Sequence, residues 1–158
     1  MEIFISTFLK IFFLMTPFFV LTMFLTITQD ATIRQRKALA IKVTISVTII
    51  SLILLFFGKH IFSIFGITLD AFRIGAGALL FLTAVDLVKG TEHTSKVGHK
   101  DISQVAVVPL SIPMIIGPGT TGILLVMGAT FDNTSSMFMG SLSLLLAVLS
   151  IGLMLYTS

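Results

Sequence analysis

Residues 102–131, ISQVAVVPLSIPMIIGPGTTGILLVMGATF, form a continuous run without a charged side chain. A helix of about 20 apolar residues crosses the hydrocarbon core of a bilayer, so this run is long enough to do so. It also carries two prolines and three glycines within residues 112–122, at mid-membrane depth. Lipid tolerates a broken backbone only where protein or a water-filled cavity bonds the freed peptide groups. The run therefore predicts a membrane span that is interrupted to form a solute-binding element.

The composition of the whole chain also indicates a membrane protein. Of its 158 residues, 56% are hydrophobic and 11% are charged, whereas a soluble domain carries about 25% charged residues. Such a chain cannot cover a water-facing surface, and the composition predicts an all-α, polytopic transmembrane helix bundle. The net charge of +3 does not indicate nucleic acid binding, because the basic residues lie between apolar spans.

The content of reactive side chains argues against a chemical centre. The chain has no cysteine, which excludes disulfides and thiolate metal sites. Its three histidines lie in or beside loops without ligand spacing, and no convergent set of acids, histidines and serines lies at membrane depth. We therefore expect no cofactor, no metal and no enzymatic chemistry. Asp86 has two interpretations, an ion pair with Lys89 at the membrane edge or a member of a proton relay.

Five apolar segments are predicted to span the membrane. Asp70 is placed to cap the third span and to pair with Arg73, three residues later. Residues 61–69 are interfacial in character, and residues 132–136 predict a turn. The predicted spans are residues 11–29, 43–57, 70–88, 102–131 and 137–156.

The distribution of lysine and arginine predicts the orientation of the spans. Loops 30–42 and 89–101 are rich in these residues, whereas the turn at 132–136 has none. Cytoplasmic loops carry the excess of positive charge, so both basic loops are predicted to face the cytoplasm. The N-terminus is then outside and, after five spans, the C-terminus is inside.

The first span is predicted to be broken as well, at Pro17, because proline removes a helix hydrogen bond and clashes with the preceding turn. A simple kink is the alternative at this position. The first and fourth spans run in opposite directions. If each structural repeat has three spans, which is an odd number, the second repeat is inverted relative to the first. Broken helices at corresponding positions of two inverted halves point to the binding site of a secondary transporter.

Each break begins a new half-helix, whose free N–H groups and positive dipole end favour an anionic group such as a carboxylate. Threonine hydroxyls beside the breaks are expected to add contacts, and freed carbonyls are expected to hold an ammonium group or a cation. The predicted substrate-binding residues are Thr16, Pro17, Thr22, Pro113, Gly117, Pro118, Gly119, Thr120 and Thr121.

Residues 107–119, VVPLSIPMIIGPG, contain a proline-leucine pair, a further proline and a glycine-proline-glycine sequence, and residues 65–82 read FGITLDAFRIGAGALLFL. Both stretches resemble the MarC family of integral membrane proteins: the first is similar to the family's proline-leucine, proline and glycine-proline-glycine signature, and the second also matches closely. The family is named for a multiple-antibiotic-resistance locus, and some members are described as neutral amino acid transporters. The resemblance implies six spans in the bacterial inner membrane, arranged as two inverted three-helix repeats.

On this pattern, residues 1–90 form the first repeat, residues 91–103 form a cytoplasmic loop, and residues 104–158 form a second repeat with two of its three spans. The resemblance places Pro17 at the first break and Pro113, Gly117, Pro118 and Gly119 at the second. Many members have an aspartate or asparagine, a glycine and a proline where this chain has Thr16, Phe19 and Thr22.

The resulting hypothesis is a transporter-like membrane protein that moves small neutral amino acids, together with a coupling cation. The alternative is a degenerate or truncated family member that does not transport and acts as a packing partner. In either case the bilayer is the surrounding partner, and a homo-oligomer is one way to supply the sixth span.

Overall fold

The described part of the protein is helical throughout. The computed structural model describes residues 2–89, 115–131 and 133–158, and no strand occurs within these ranges. This confirms the all-α prediction. The helices are α1 (Glu2–Leu14), α2 (Pro17–Ile27), α3 (Ile33–Phe65), α4 (Leu69–Lys89), α5 (Pro118–Thr130) and α6 (Thr134–Thr157).

Three described segments are long and apolar enough to cross a membrane, namely Phe4–Ile27, Ile33–Gly58 and Thr134–Thr157. They correspond to the predicted first, second and fifth spans. The helix α4 matches the predicted third span within a residue at each end, but it is not among these three. With 13 residues, α5 is about 20 Å long and is too short to cross alone. The half of the fourth span that precedes it lies outside the described residues.

The helix α3 extends far beyond the predicted span at residues 43–57. It begins with a capping box, in which Gln35 N donates to Thr32 Oγ1 at 3.3 Å and Thr32 N donates to Gln35 Oε1 at 3.0 Å. It ends at Gly66, whose φ of 62° lies in the left-handed region that glycine adopts without steric cost. The prediction stopped at charged residues, although arginine and lysine favour a helix. The predicted interfacial segment is partly the last turn of α3.

The residue that caps α4 lies two positions before the predicted one. Thr68 caps the helix, since Ala71 N donates to Thr68 Oγ1 at 3.3 Å, and Asp70 lies inside the first turn. The predicted ion pair is present, with Arg73 Nη1 3.2 Å from Asp70 Oδ1. The predicted turn at residues 132–136 is also too long, because α6 already begins at Thr134.

The helix α6 packs against several of the other described helices. The helix α1 packs along α6, α3 packs against both α5 and α6, and α4 packs on α5. These contacts bury one continuous core, to which α1, α2, α3, α5 and α6 contribute. The buried residues of α6 recur every three or four positions and are Gly140, Ser143, Leu144, Ala147, Val148, Ile151, Gly152 and Leu155.

Contacts along α3 give the relative directions of the helices packed against it. Ile115, just before α5, shares a small cavity with Val43, whereas Gly128 near the end of α5 lies against Leu55. Along this contact the residue numbers of both helices increase in the same direction, so α3 and α5 are parallel. In α6 the numbers run oppositely, since Val148 lines that cavity and Ser158 O accepts from Arg36. This alternation agrees with the order predicted for the second, fourth and fifth spans.

The outer surface of these helices is apolar. Phe13, Phe18, Ile74 and Leu153 are each at least 60% exposed. A monomeric soluble protein rarely exposes a continuous apolar surface of this kind, whereas lipid tails surround it without penalty. The described helices therefore form a bundle whose outside suits hydrocarbon.

The backbones of α3 and α5 touch at two glycines. A Cβ atom at Gly58 would lie 2.5 Å from Leu125 O, and a Cβ atom at Gly128 would overlap Leu55 O. Small residues let transmembrane helices approach closely, and the resulting packing holds them together where lipid removes the hydrophobic driving force.

We therefore expect Gly128→Ala to destabilise the protein by about 1–3 kcal/mol, because the two helices must separate to admit a methyl group. The measurement is thermal unfolding of the purified protein in detergent. Gly77→Ala is the matched control, since nothing lies within 4 Å of a Cβ atom there. The control should unfold at or slightly above the wild-type temperature; equal unfolding temperatures for both variants would contradict the close contact.

Candidate solute site at two helix breaks

The first span is interrupted completely and not merely kinked. Helix α1 ends at Leu14 and α2 begins at Pro17, with Thr16 between them at φ 48° and ψ 59°. The backbone bonds around the break run from Thr16 N to Phe13 O and from Val20 N to Thr16 O, each at 3.0 Å. A β-branched residue is uncommon in the left-handed region, and such strain costs about 1–3 kcal/mol and clusters at functional sites.

The second break lies directly before α5. Gly117 is extended at φ −79° and ψ −179°, and Pro118 occupies the first position of α5, where its missing N–H costs nothing. The first backbone bond of the new helix runs from Thr121 N to Gly117 O at 2.9 Å. Pro113 lies outside the described residues.

The two threonines at this break have different surroundings. Thr120 is 3% exposed, and its Oγ1 donates to Ile115 O at 3.1 Å. Its hydroxyl therefore bonds a carbonyl that the break has freed, which is a structural role. Thr121 is half-buried and faces a groove between α4 and α5.

This groove, which we call the α4–α5 groove, has a volume of about 490 Å³, within the range of about 300–1,000 Å³ for small-molecule sites. On the other side of the break, between α3 and α6, the cavity beside Ile115 measures only about 10 Å³, less than a water needs. Of these two spaces beside the start of α5, the larger lies on the α4 side. The groove is lined by Ile67, Ala71, Phe72, Gly75, Ala76, Leu79 and Thr121.

The predicted residues of the first break do not line this groove. Thr16 and Thr22 are exposed on the outside of the described helices, and Thr22 Oγ1 donates to Phe19 O of its own helix at 2.8 Å. Pro17 is buried. The two breaks do border one core, since Met15 and Ile115 belong to the same buried cluster. The described structure thus brings the broken backbones to a common core, but it does not bring these hydroxyls to the groove.

Ser51 is a candidate that the sequence alone does not single out. Its side chain is fully buried, and its Oγ makes no hydrogen bond to any described residue. It lies one turn after Val47, which contacts the Ile115 cavity, and one turn before Leu55, which meets α5. An unsatisfied buried hydroxyl costs about 1–3 kcal/mol, so Ser51 is a candidate polar contact on the α3 face that packs against α5.

The polar pattern of α3 explains why Ser51 was missed. Thr44 and Thr48 lie on the same apolar helix, but their hydroxyls donate to Ala40 O and Thr44 O at 2.8 and 2.7 Å. In sequence all three residues look alike, and only packing distinguishes them. The side chains of Asp86 and Lys89 are not described, so both interpretations of Asp86 stay predictions.

Three membrane-length apolar segments, an apolar outer surface and two interrupted spans define a multi-pass membrane protein. The model for MarC family integral membrane proteins matches residues 1–158. The chain belongs to the MarC family, as its sequence signatures predicted. No solved structure matches the chain.

The chain is similar to several UPF0056 membrane proteins. One from Buchnera aphidicola subsp. Acyrthosiphon pisum is 33% identical over 153 residues, which cover 92% of this chain and 71% of the relative. Two more are from Methanocaldococcus jannaschii. The first is 36% identical over 120 residues, which cover 72% of this chain and 53% of the relative. The second is 32% identical over 154 residues, which cover 94% of this chain and 75% of the relative. The chain thus spans between about half and three quarters of the length of these relatives.

The strain at Thr16 generates a stability prediction. Thr16→Gly should raise the free energy of unfolding by about 1 kcal/mol, because glycine adopts left-handed backbone angles without the penalty of a Cβ atom. Thr22→Gly is the control, since it lies inside α2 and should lower the free energy of unfolding by about 1 kcal/mol. Chemical or thermal unfolding in detergent measures both, and a loss of stability in Thr16→Gly would show that no strain is present.

Proposed function

We propose that the protein is a secondary transporter of small neutral amino acids, with its solute site at the start of α5. The observation that carries this proposal is the opening of that helix start onto the α4–α5 groove beside Thr121. The first turn of a helix presents N–H groups without intrahelical acceptors, together with the positive end of the helix dipole. This combination suits the carboxylate of an amino acid.

The lining of the groove favours a solute with a small, uncharged side chain. No charged side chain lines it within the described part of the chain, and its walls are alanine, glycine and aliphatic or aromatic residues. A charged substrate side chain would lose its hydration there without a partner. Freed carbonyls at the breaks are the proposed partners of the substrate ammonium group or of a coupling cation.

Uptake into proteoliposomes tests this proposal directly. We expect radiolabelled alanine, glycine and serine to enter faster than into empty liposomes, and faster still with an imposed sodium or proton gradient. Folding of the reconstituted protein is checked by its thermal unfolding. Folded protein without any flux would contradict transport and favour the alternative of a non-transporting packing partner.

Substitutions at the break should reduce this flux. Pro118→Ala combined with Gly119→Ala favours a regular helix through the break and should abolish transport. Thr121→Val should raise the substrate concentration that gives half-maximal uptake by about tenfold, as expected for one lost hydrogen bond. Thr130→Val is the control, because Thr130 lies at the other end of α5 and its hydroxyl bonds its own helix at Met127 O. Wild-type flux in the double variant would show that the break is not the site.

We also propose that the protein resides in the cell inner membrane with its N-terminus outside. Arg34, Arg36 and Lys37 lie in the first two turns of α3, next to the ends of α2 and α6, which supports a cytoplasmic position for this end of the bundle. We refer to it as the basic end.

Alkaline phosphatase, which is active only outside the cytoplasm, tests this orientation. A fusion after residue 95, in the loop 89–101, should be inactive, because that loop is proposed to be cytoplasmic. A fusion after residue 133, between α5 and α6, should be active and serves as the control. Activity after residue 95 would reverse the proposed orientation.

A further inference from the structure

Arg36 joins three helices at the basic end. Its Nη2 donates to Thr28 O at 3.1 Å and its Nη1 donates to Ser158 O at 3.2 Å. Thr28 follows the last residue of α2, and Ser158 follows the last residue of α6. The guanidinium group therefore bonds the carbonyl end of α2, where the helix dipole is negative and a cation is favoured, and a backbone carbonyl adjoining α6. We call these two bonds the Arg36 latch.

The geometry of the latch uses features that are specific to arginine. A planar guanidinium presents several donors in a fixed arrangement, whereas a lysine ammonium is a compact point charge. Arg36 Nε is buried and makes no hydrogen bond to a described residue. Within the described chain the two terminal nitrogens thus make the hydrogen bonds of this side chain, one to Thr28 O and one to Ser158 O.

Apart from the latch, α2 has limited contact with the other described helices. Among the described helices, α1 packs along α6, but α2 makes a much smaller contact with α6 and none of similar extent with α3 or α5. Three buried residues, Pro17, Val20 and Phe24, anchor one side of α2. Its opposite side is exposed, with Phe18 68% and Phe19 48% accessible.

The other end of α2 is a natural hinge. The α-helical hydrogen bonding ends with the bond from Met15 N to Ile11 O and resumes with the bond from Val20 N to Thr16 O. Thr16 is the one non-glycine residue with positive φ in the described chain. Hinges of moving elements are positions that absorb a change in backbone angles. Helix α2 therefore lies between a strained link at one end and the Arg36 latch at the other.

We propose that α2 is a hinged half-helix that swings about Thr16, and that Arg36 is the positioning residue that holds it closed. Breaking the two bonds of Arg36 frees the end of α2 from α6 and opens the basic end of the bundle towards the core that borders both breaks. The role of this motion as a gate for solute rests on the proposed transport function; the motion itself does not.

A thiol reporter at the latch tests the motion without any substrate. The chain has no native cysteine, so Thr28→Cys places a single reactive group at a position that is fully buried in the closed structure. Its rate of modification by a water-soluble maleimide, in the full-length protein in native membranes, should rise about tenfold or more when Arg36→Gln is added, as expected for loss of charged hydrogen bonds that oppose local opening. Arg36→Lys should give an intermediate modification rate, because lysine keeps the positive charge but not the planar arrangement of donors.

Two controls separate local opening from loss of charge and from unfolding. Lys37→Gln removes the neighbouring charge, whose ammonium lies 4.9 Å above the Tyr156 ring of α6, and it should leave the Thr28→Cys rate unchanged. Ala147→Cys, fully buried in α6, should stay protected in every background. An unchanged Thr28→Cys rate in Arg36→Gln, or equal exposure of Ala147→Cys, would overturn the hinged half-helix even if transport is found.

Discussion

Within a bilayer no water bonds the peptide groups that a helix leaves free, so each interruption of a span must be satisfied by the protein itself. The two breaks meet this constraint differently. At the second, the Thr120 hydroxyl bonds Ile115 O. At the first, the chain turns through the left-handed angles of Thr16 and resumes a helix at once. The described fold is arranged around these two interruptions, which border a single core.

Packing between the helices follows from the same environment. Lipid is as apolar as the core, so helices associate through close contact and hydrogen bonds and not through burial of apolar area. The contact between Gly58 and Leu125 O brings α3 and α5 together at backbone distance. The Ser143 hydroxyl reaches Phe4 O across the α1–α6 contact at 3.3 Å. Other hydroxyls, such as those of Thr44 and Thr48, donate to carbonyls of their own helix and therefore contribute little to the association between helices.

Hydropathy and breaker residues predicted the all-α membrane bundle and the positions of both interruptions, because apolar length and proline act locally. Helix lengths were harder to predict. Charges at Arg34 and Lys37 suggested a loop, yet they lie in α3, since a long charged side chain can extend to water from a helix that continues past the apolar region.

Roles within the candidate site could not be assigned from sequence, because they depend on the neighbour that each side chain meets. Thr120 and Thr121 are adjacent and chemically identical, but one bonds the backbone and the other lines a groove. Arg36 looks like one more residue of a basic loop until the ends of α2 and α6 are seen beside it. Ser51 is distinguished from Thr44 and Thr48 only by its lack of a bond within the described chain.

The length of the apolar helices has a consequence for the membrane around them. The segment Thr134–Thr157 carries no charged side chain and is about 36 Å long, against a hydrocarbon core about 30 Å thick. In Ile33–Gly58, by contrast, Arg34, Arg36, Lys37 and Lys42 lie near the start, so this end of α3 extends towards water while the uncharged remainder lies in hydrocarbon. A helix longer than the hydrocarbon core is accommodated by tilting or by local thickening of the bilayer. The lipid composition of the membrane therefore contributes to the angle at which α6 crosses it.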